Sequence, residues 1–244
     1  MSKRLTTRKL EDGFSLVELI IAMTITLAIL TVATTLLARS LNIRTRSNEN
    51  VDALADAERA LNIMSREIAQ AGFNLSDNGI VAADSLVDGN GNSTIRVRAN
   101  LNRFDTNATT SARGGIGNAG ALPGEESGED VKFFIHPAGT TTLLARYDPY
   151  APGGPESTVV ANRLDKMRVH YFAQKVTYNT DPPNCDIRDW NQPEVAPGAA
   201  TYVVIAVCVR QQATGAPGSP GYQPAQNLLL TSDVALRNAN LTIY

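Results

Sequence analysis

The stretch Gly13-Phe14-Ser15-Leu16-Val17-Glu18 decides the fold of this 244-residue chain, because a basic leader ends there and a long apolar segment begins. From Phe14 to Ala38 the only ionisable side chain is that of Glu18. A helix rises about 1.5 Å per residue, so this segment spans about 37 Å, enough for a tilted membrane crossing. The sequence therefore predicts a membrane helix with one carboxylate near its start.

The carboxylate of Glu18 is the unusual part of this segment. An acidic side chain within a membrane helix costs about 2.5 to 3.5 kcal/mol on insertion scales, so it is expected to have a cationic partner. The basic residues of the leader, Lys3, Arg4, Arg8 and Lys9, favour a cytoplasmic position for the leader. The rest of the chain is then expected on the far side of the membrane.

The junction resembles the class III signal peptides of type IV pilins and type II secretion pseudopilins. Those proteins share a short basic leader, a glycine before the cleavage site, a phenylalanine after it and a glutamate at the fifth mature position, which Gly13, Phe14 and Glu18 match. The resemblance implies cleavage after Gly13 by a prepilin peptidase and N-methylation of Phe14. It also implies that Glu18 pairs with the Phe14 amine of a neighbouring subunit. A free α-amino group is largely protonated at neutral pH, so this pairing is physically reasonable.

Three other interpretations compete for the same residues. An ordinary secretory signal also has a basic start and an apolar core, with Thr31-Val32-Ala33 as its cleavage site, but its core would be shorter and would lack Glu18. In an uncleaved anchor, Glu18 would be stabilised by the helix dipole near the interface. A buried helix of a soluble protein would need a polar face, and none exists between Leu16 and Leu37 beyond Glu18 and scattered threonines.

The helix is predicted to continue well past the apolar segment. No glycine or proline occurs between Gly13 and Gly72, a stretch about 87 Å long if it is entirely helical. We expect Gly72 to end the helix, and the polar segment Asn42 to Asn50 to be its most easily bent part. The second half has apolar residues at steps of three and four, so we expect it to lie against a globular domain. These residues are Val51, Leu54, Leu61, Met64, Ile68 and Ala71.

Beyond Gly72 the composition changes to that of a turn-rich β domain. All 12 prolines and 16 of the 18 glycines lie there. The fold class is therefore predicted to be α+β, with a long N-terminal helix packed on an antiparallel β-sheet domain. The predicted strands are Thr94 to Ala99, Val131 to His136, Thr142 to Tyr147, Ser157 to Ala161, Lys166 to Phe172, Tyr202 to Arg210 and Leu228 to Leu236.

Three of these strands carry further expectations. Lys166 to Phe172 alternates between apolar and polar residues, which predicts a half-buried strand with Arg168 and His170 on its polar face. Tyr202 to Val209 is almost wholly apolar, which predicts the central strand of the sheet, covered on both faces. The segment Pro137 to Thr141 is of hairpin length and is predicted to connect the second and third strands.

The overall charge and the cysteines limit the function classes. There are 22 Lys plus Arg and 24 Asp plus Glu, and the net charge of −2 does not indicate nucleic-acid binding. Cys185 and Cys208 form a candidate disulfide that would close a loop of 24 residues and contribute about 3 kcal/mol. Two buried free thiols remain the alternative. Neither cysteine is part of a CxxC motif, so redox catalysis is not indicated.

Motifs for catalysis and metal binding are mostly missing. His136 and His170 are the only histidines, and neither has the spacing of a zinc site. No nucleophile elbow, P-loop or dinucleotide fingerprint occurs, so we expect neither an enzyme nor a cofactor. Asp88, Asn90 and Asn92 provide oxygen atoms at alternating positions, as calcium loops do, but the glycine and glutamate of such loops are missing. A tight turn is the alternative.

Beyond the first helix the chain resembles PilW-type minor pilins and the related GspJ-type pseudopilins. The similarity rests on Ile63 to Phe73, the late strand after Val160 to Leu164, and Val234 to Asn238. Unlike many major pilins, the chain has no proline or glycine in its membrane helix. The resemblance implies major and minor pilins and an inner-membrane assembly platform as partners. It also implies a leader at 1–13, a membrane and filament-core helix at 14–38, an amphipathic continuation at 39–72 and a periplasmic domain at 73–244.

Overall fold

The structure, a computed structural model, describes residues 15–75, 77–101, 127–138, 141–218 and 222–239. The chain divides into two compact units, Met1–Ser47 and Asn48–Tyr244. The boundary between these units falls inside the polar segment Asn42 to Asn50. The end of the long helix therefore belongs to the same unit as the strands. The predicted division into residues 1–13, 14–38, 39–72 and 73–244 stays a prediction.

One helix, α1, runs without interruption from Leu16 to Ala69. It begins two residues after the predicted start at Phe14 and ends three residues before Gly72. The lack of proline and glycine allows this length, because every interior residue can donate its backbone N–H and none has the extra conformational freedom of glycine. Together with the antiparallel sheets described below, α1 confirms the predicted α+β class.

Within the second unit, α1 packs on the sheets through a stripe of six buried side chains, three of which are alanines. Val51 was predicted to belong to this stripe, but the prediction is wrong because its side chain is 61% exposed. The stripe passes through Ala53 instead, and two residues along a helix correspond to about 200° around its axis. Alanines let the helix backbone approach the sheet closely. The buried residues are Ala53, Ala57, Ala60, Leu61, Met64 and Ile68.

Nine strands form three antiparallel sheets in the described part of the chain. The strand order is β1-β2-β3-β4 in the first sheet, β5-β8-β9 in the second and β6-β7 in the third. All seven predicted strands are present, whereas β6 and β7 were not predicted. The bounds are β1 Ile95–Arg98, β2 Asp130–Ala138, β3 Thr141–Asp148, β4 Glu156–Asn162, β5 Leu164–Phe172, β6 Asn179–Asp181, β7 Asp186–Arg188, β8 Tyr202–Gln211 and β9 Gln226–Ala235.

The hairpin between β2 and β3 is tighter than predicted. Strand pairing continues to Ala138 and Thr141, so residues 139 and 140 alone connect the strands, and they lie outside the described residues. Pro137 is accommodated in β2 because β1 pairs only with the part of β2 from Asp130 to Phe133. The missing N–H of Pro137 therefore does not interrupt the β1 ladder.

The central strand β8 is covered on both faces, as predicted. Its odd-numbered residues, Val203 to Val209, belong to the core that includes α1, whereas Tyr202, Val204 and Ala206 belong to a second buried cluster. The second cover is formed by residues 173–201, which connect β5 to β8 and which we call the ribbon. The prediction that β5 is only half-buried is wrong, because the ribbon covers its polar face and leaves His170 7% exposed.

Close backbone contacts join the end of α1 to the first sheet. Gly72 has φ +77°, which confirms its predicted role in turning the chain off the helix, and its N–H donates to the Arg98 carbonyl at 2.9 Å. Gly79 packs on it so tightly that a Cβ there would lie 2.1 Å from the Gly72 nitrogen. The Asn238 side chain donates to the carbonyls of Gln70 and Ala71 at 3.4 and 3.3 Å. The carbonyls of the two residues that follow α1 therefore accept hydrogen bonds from a residue near the other end of the chain.

Candidate functional site

The start of α1 holds Glu18 in a capping arrangement. Ser15 precedes the first helical residue and Glu18 follows three positions later, the spacing of a capping box. The Ser15 N–H donates to Oε2 of Glu18 at 3.4 Å, and the Ser15 carbonyl accepts the Leu19 N–H at 3.1 Å. The first of these hydrogen bonds is long and exposed, so the carboxylate stays accessible. Gly13 and Phe14, the predicted cleavage pair, lie outside the described residues.

No cation of the described chain pairs with Glu18. The helix dipole favours a negative charge at this position, but that effect is worth about 0.3 to 1 kcal/mol at an exposed site. This is less than the cost of placing a carboxylate in a membrane. The charge on Glu18 therefore has only partial compensation within the described chain.

The threonines of the apolar segment satisfy their own hydroxyl groups. Each hydroxyl donates to a backbone carbonyl three or four residues earlier, so none of them needs an outside partner in an apolar medium. The bonds run from Thr24 to Ile21, Thr26 to Ala22, Thr31 to Leu27, Thr34 to Thr31 and Thr35 to Val32, at 2.7 to 3.0 Å. Glu18 is left as the one ionisable group between Ser15 and Ala38.

The apolar side chains of this half of α1 are exposed. In the described part of the chain, one helix is long and apolar enough to cross a membrane; its most apolar 18-residue window has a mean hydropathy of 2.4, and none of that window is buried within the chain. Leu16 is 72% exposed and Leu30 is 58% exposed. An apolar surface this large needs lipid or other apolar helices around it.

Residues 8–34 match the family described as the prokaryotic N-terminal methylation motif. The chain carries a type IV pilin-like class III signal. The matched range contains Gly13, Phe14 and Glu18, whose individual roles stay predictions, and the motif implies processing by prepilin peptidase and assembly with other pilins. Together with the exposed apolar helix, the pilin-like signal is consistent with a single-pass inner-membrane anchor. A comparison with the curated proteins gave no match.

Cys185 and Cys208 are joined by a disulfide, with 5.4 Å between their Cα atoms. Cys185 directly follows a short 3-10 turn, Pro182–Asn184, in the ribbon, whereas Cys208 lies in β8. Both side chains are buried. The bond therefore fastens the middle of the ribbon to the central strand of the second sheet.

His170 is a second link between the ribbon and the sheet. Its Nε2 atom lies 2.6 Å from Oδ1 of Asp186, and its Nδ1 atom contacts Oε1 of Glu194. Ionised carboxylates only accept hydrogen bonds, so both ring nitrogens must donate and the imidazole is a cation. Arg168 donates from Nε to the other oxygen of Asp186 at 2.8 Å. Two cations of β5 thus hold two carboxylates of the ribbon.

The pKa values agree with this geometry. Burial alone would lower the pKa of His170, but the hydrogen bonds to Asp186 and Glu194 outweigh burial and raise that pKa to about 9. Burial likewise opposes ionisation of Asp186, yet His170, the Ile187 N–H and Arg168 together lower its pKa to about 2. The ion pair is therefore present at neutral pH.

Asp88, the first residue of the weak calcium candidate, closes its own turn. Its Oδ1 atom accepts the N–H groups of Asn90 and Asn92 at 2.9 and 2.7 Å. The Gly91 carbonyl accepts a hydrogen bond from Nη1 of Arg168 at 2.9 Å, and this bond joins the turn to β5. This geometry favours the tight turn over the calcium loop, which stays an untested prediction.

No group of three or more His, Cys, Asp and Glu in the described ranges is arranged to hold a metal ion. His136 is exposed on β2, where its ring lies 6.2 Å from that of Phe134. His170 has both ring nitrogens engaged with carboxylates. Among the described residues, neither histidine therefore belongs to a group arranged around a metal ion.

The ribbon is the feature that the sequence analysis missed. Its contacts with His170 come from Asp186, Glu194 and the ring of Trp190, whose centroid is 5.3 Å from that of His170. One feature of the sequence indicated it. The central strand has apolar residues on both faces, so each face must pack against another part of the chain, and α1 packs against only one of them. The spacing of Cys185 and Cys208 was compatible with such a cover but gave no position for it.

Proposed function

We propose that this protein is a minor pilin, a structural subunit that joins a type IV pilus through its N-terminal helix and performs no catalysis. The observation that carries the proposal is the methylation motif at residues 8–34, lying on a helix whose apolar side chains are exposed. The apolar surface of such a helix can face lipid while the subunit is in the membrane. The same surface can pack against similar helices in a filament. The resemblance of the C-terminal segment to PilW-type proteins favours the pilus.

In this proposal, Glu18 fixes the axial position of one subunit's helix relative to that of its neighbour. In a subunit cleaved after Gly13, the new Phe14 amine is a cation in an apolar environment, and the Glu18 carboxylate of a neighbour is an anion in the same environment. Their mutual attraction offsets part of the desolvation cost of both charges, and the pair can form at only one axial offset between adjacent helices. The long capping bond from Ser15 is weak enough for Glu18 to exchange it for the amine.

The test replaces Glu18 in cells that make the rest of the pilus. We expect Glu18→Ala and Glu18→Gln to insert in the membrane and lose the leader normally, while their amount in sheared filaments falls at least about tenfold. Glu58→Gln, at an exposed position of the same helix in the second unit, is the matched control and is expected to assemble normally. Normal incorporation of both Glu18 variants would refute the pairing.

A type II secretion pseudopilin of the GspJ type is the alternative, because it would carry the same N-terminal motif. Co-purification with secretion-system rather than pilus subunits would identify it. A single-pass periplasmic binding module or enzyme, anchored by an uncleaved helix, is the second alternative. Mass spectrometry of the N-terminus separates it from the other two, since a methylated Phe14 start supports a filament subunit and a Met1 start supports the anchor.

A further inference from the structure

The apolar segment of α1 ends in two arginines that have no partner in the described chain. Arg39 directly follows Ala38, and Arg44 follows about one and a half helical turns later. Both side chains are exposed, and neither makes a hydrogen bond or an ion pair with a described residue. No acidic residue occurs between Glu18 and Glu49. An anion that pairs with either guanidinium therefore comes from outside this stretch of the helix.

The spacing along α1 matches the thickness of a bilayer. The uninterrupted helix from Glu18 to Arg39 is about 32 Å long. The hydrocarbon layer of a bilayer is about 30 Å thick, and the headgroup layer on each side adds about 5 to 7 Å. With Glu18 at one boundary of the hydrocarbon layer, Arg39 reaches the other boundary, and Arg44 lies about 8 Å beyond it. Both arginines are therefore within reach of the lipid phosphates of one leaflet.

The direction of the side chains favours the same contact. In an α-helix the Cα–Cβ bonds tilt toward the N-terminus, so side chains after Ala38 lean back toward the apolar segment. A long arginine side chain can extend its guanidinium along that direction into the headgroup layer. The planar guanidinium can then donate to a phosphate group through two parallel N–H groups. Arg44 can therefore contact the headgroups although its Cα atom lies at their outer edge.

Apolar side chains lie between the two arginines. Leu41 is 54% exposed and Ile43 is 50% exposed. A helical stretch that combines exposed apolar and cationic side chains suits the boundary between acyl chains and headgroups. Arg46 does not belong to this surface, because it is 7% exposed and is already engaged within the chain.

We propose that Arg39 and Arg44 bind the phosphates of anionic phospholipids in the leaflet where the apolar segment ends. The two residues are about 140° apart around the helix axis, so each faces a different lipid molecule. A leaflet that contains anionic lipids has a negative surface potential, which attracts basic residues next to a membrane helix. The bound lipids fix the depth of α1 in the membrane and so keep Glu18 at the opposite boundary. This inference goes beyond the proposed function and does not rest on it, because it requires a membrane helix but no filament.

The experiment uses the full chain in detergent micelles and counts the bound lipid molecules by native mass spectrometry. The probes are phosphatidylglycerol, which is anionic, and phosphatidylcholine, in which a cationic choline competes for the phosphate. We expect phosphatidylglycerol to bind about fivefold more tightly than phosphatidylcholine, with one preferred molecule for each arginine. Arg39→Gln and Arg44→Gln should each lose one preferred molecule. The double variant should bind both lipids within about twofold of each other.

Two arginines further along the same helix provide the matched control. Arg59 and Arg66 are exposed on the part of α1 that belongs to the second unit. Arg59→Gln/Arg66→Gln changes the net charge as much as Arg39→Gln/Arg44→Gln does, but it should leave the preference for phosphatidylglycerol unchanged. An excess of inorganic phosphate should not displace the lipid, because free phosphate lacks the acyl chains that hold a headgroup at this depth. Emission of Trp190, the single tryptophan, checks that the domain is intact in each variant.

A second measurement tests the same contact in a bilayer. Cys185 and Cys208 are joined to each other, so Ser40→Cys provides a single reactive thiol for a bimane dye. In vesicles with equal parts of phosphatidylcholine and phosphatidylglycerol, we expect acrylamide to quench this dye at least about twofold less than in vesicles of phosphatidylcholine alone. The difference should vanish when Arg39→Gln and Arg44→Gln are added. Equal quenching of the unchanged arginines' protein in both kinds of vesicle would contradict the contact.

Three outcomes of the lipid titration would overturn the proposal. In the first, Arg39→Gln/Arg44→Gln keeps the preference of about fivefold for phosphatidylglycerol. In the second, Arg59→Gln/Arg66→Gln loses that preference equally, which means that net charge alone attracts the lipid. In the third, inorganic phosphate displaces phosphatidylglycerol, which means that the arginines bind soluble anions. None of these results bears on the incorporation of Glu18 variants into filaments, so failure of this proposal is distinguishable from failure of the proposed function.

Discussion

The two halves of α1 have opposite relations to the chain that carries them. The half before Ser47 has large apolar side chains that are exposed, such as Leu16 and Leu30. Three of the six side chains that the half after Asn48 buries are alanines, and these three, Ala53, Ala57 and Ala60, are at most 5% exposed. Side-chain size and hydrophobicity alone therefore do not tell which half packs within the folded chain.

Two glutamates make the same contrast in electrostatic terms. Glu67, in the second half, is 17% exposed and bonded at 3.0 Å to Nε of Arg146 on β3. Burial raises its pKa although Arg146 opposes the rise. Glu18, in the first half, is exposed and has no cationic partner among the described residues. Glu67 thus has an ion-pair partner within its own unit, whereas Glu18 has none among the described residues.

The largest expected effect compares one apolar truncation in each half. Met64→Ala removes a side chain that is 0% exposed and is expected to lower the free energy of unfolding of the domain by about 2 to 5 kcal/mol. Leu30→Ala removes an exposed side chain and is expected to leave that free energy unchanged. Urea unfolding followed by Trp190 fluorescence measures both. Equal losses in the two variants would show that the half of α1 before Ser47 contributes to domain stability as much as the half after Asn48 does.

The second prediction concerns pH and the internal pairing of the domain. The folded pKa of His170 is about 9, above the ordinary value of about 6.5, so its stabilisation is fully present below pH 6.5 and is lost as the pH rises through 9. The loss amounts to at most about 3 kcal/mol. Urea midpoints between pH 6 and 9.5 measure it.

His170→Gln is the control for this pH dependence. Asp186 and Glu194 of the ribbon and Arg168 of β5 are the charged groups around the ring, and His170 is expected to supply the titration in this range. The variant should therefore be less stable at pH 6 and show a flatter profile up to pH 9.5. If the stability of His170→Gln depends on pH as steeply as that of the unchanged protein, a group other than His170 titrates in this range.

A smaller effect is expected from the cation beside Glu67. Arg146→Met leaves a mostly buried carboxylate without its partner and is expected to cost about 1 to 3 kcal/mol of domain stability. Adding Glu67→Gln should recover part of that loss, because the uncompensated charge is then gone. Arg39→Met, in the exposed half of α1, is the matched control and should not change the unfolding curve. No recovery in the double variant would argue against the pair.

The smallest expected effect is at Val51. It is apolar and lies in the same unit as the sheets, yet it is exposed, so Val51→Ser is expected to change the free energy of unfolding by less than about 0.5 kcal/mol. The same unfolding assay checks this value. A cost above about 1 kcal/mol would place Val51 in a contact that the described structure lacks.

Periodicity and composition predicted most of the fold. The uninterrupted helix, its end near Gly72 and all seven main strands follow from local signals such as alternation and missing breakers. The buried stripe was predicted correctly at Leu61, Met64 and Ile68 but missed at Ala53 and Ala57. Alanine is too weakly hydrophobic to mark a buried face, whereas the close approach of helix and sheet that it permits is a tertiary property.

The ribbon could not be predicted for a related reason. Its residues are polar and rich in proline, and β6 and β7 lack the alternation that marks longer strands. What orders them is the pairing of Asp186 and Glu194 with His170, a contact between distant parts of the chain. For the candidate site, Glu18 was found from sequence because a charge in an apolar run is conspicuous, while its capping contact with Ser15 was apparent only from the structure.

The corner at Gly72 has a mechanical consequence. Only Gln70 and Ala71 separate the end of α1 from the hydrogen bond between Gly72 and Arg98 of β1. A pull along the end of the helix is therefore passed to the first sheet within three residues, with no slack linker to absorb it. Gly79 lies so close to this corner that no side chain would fit there. Tension that reaches the end of the helix would load the sheet directly rather than first unravelling a tether.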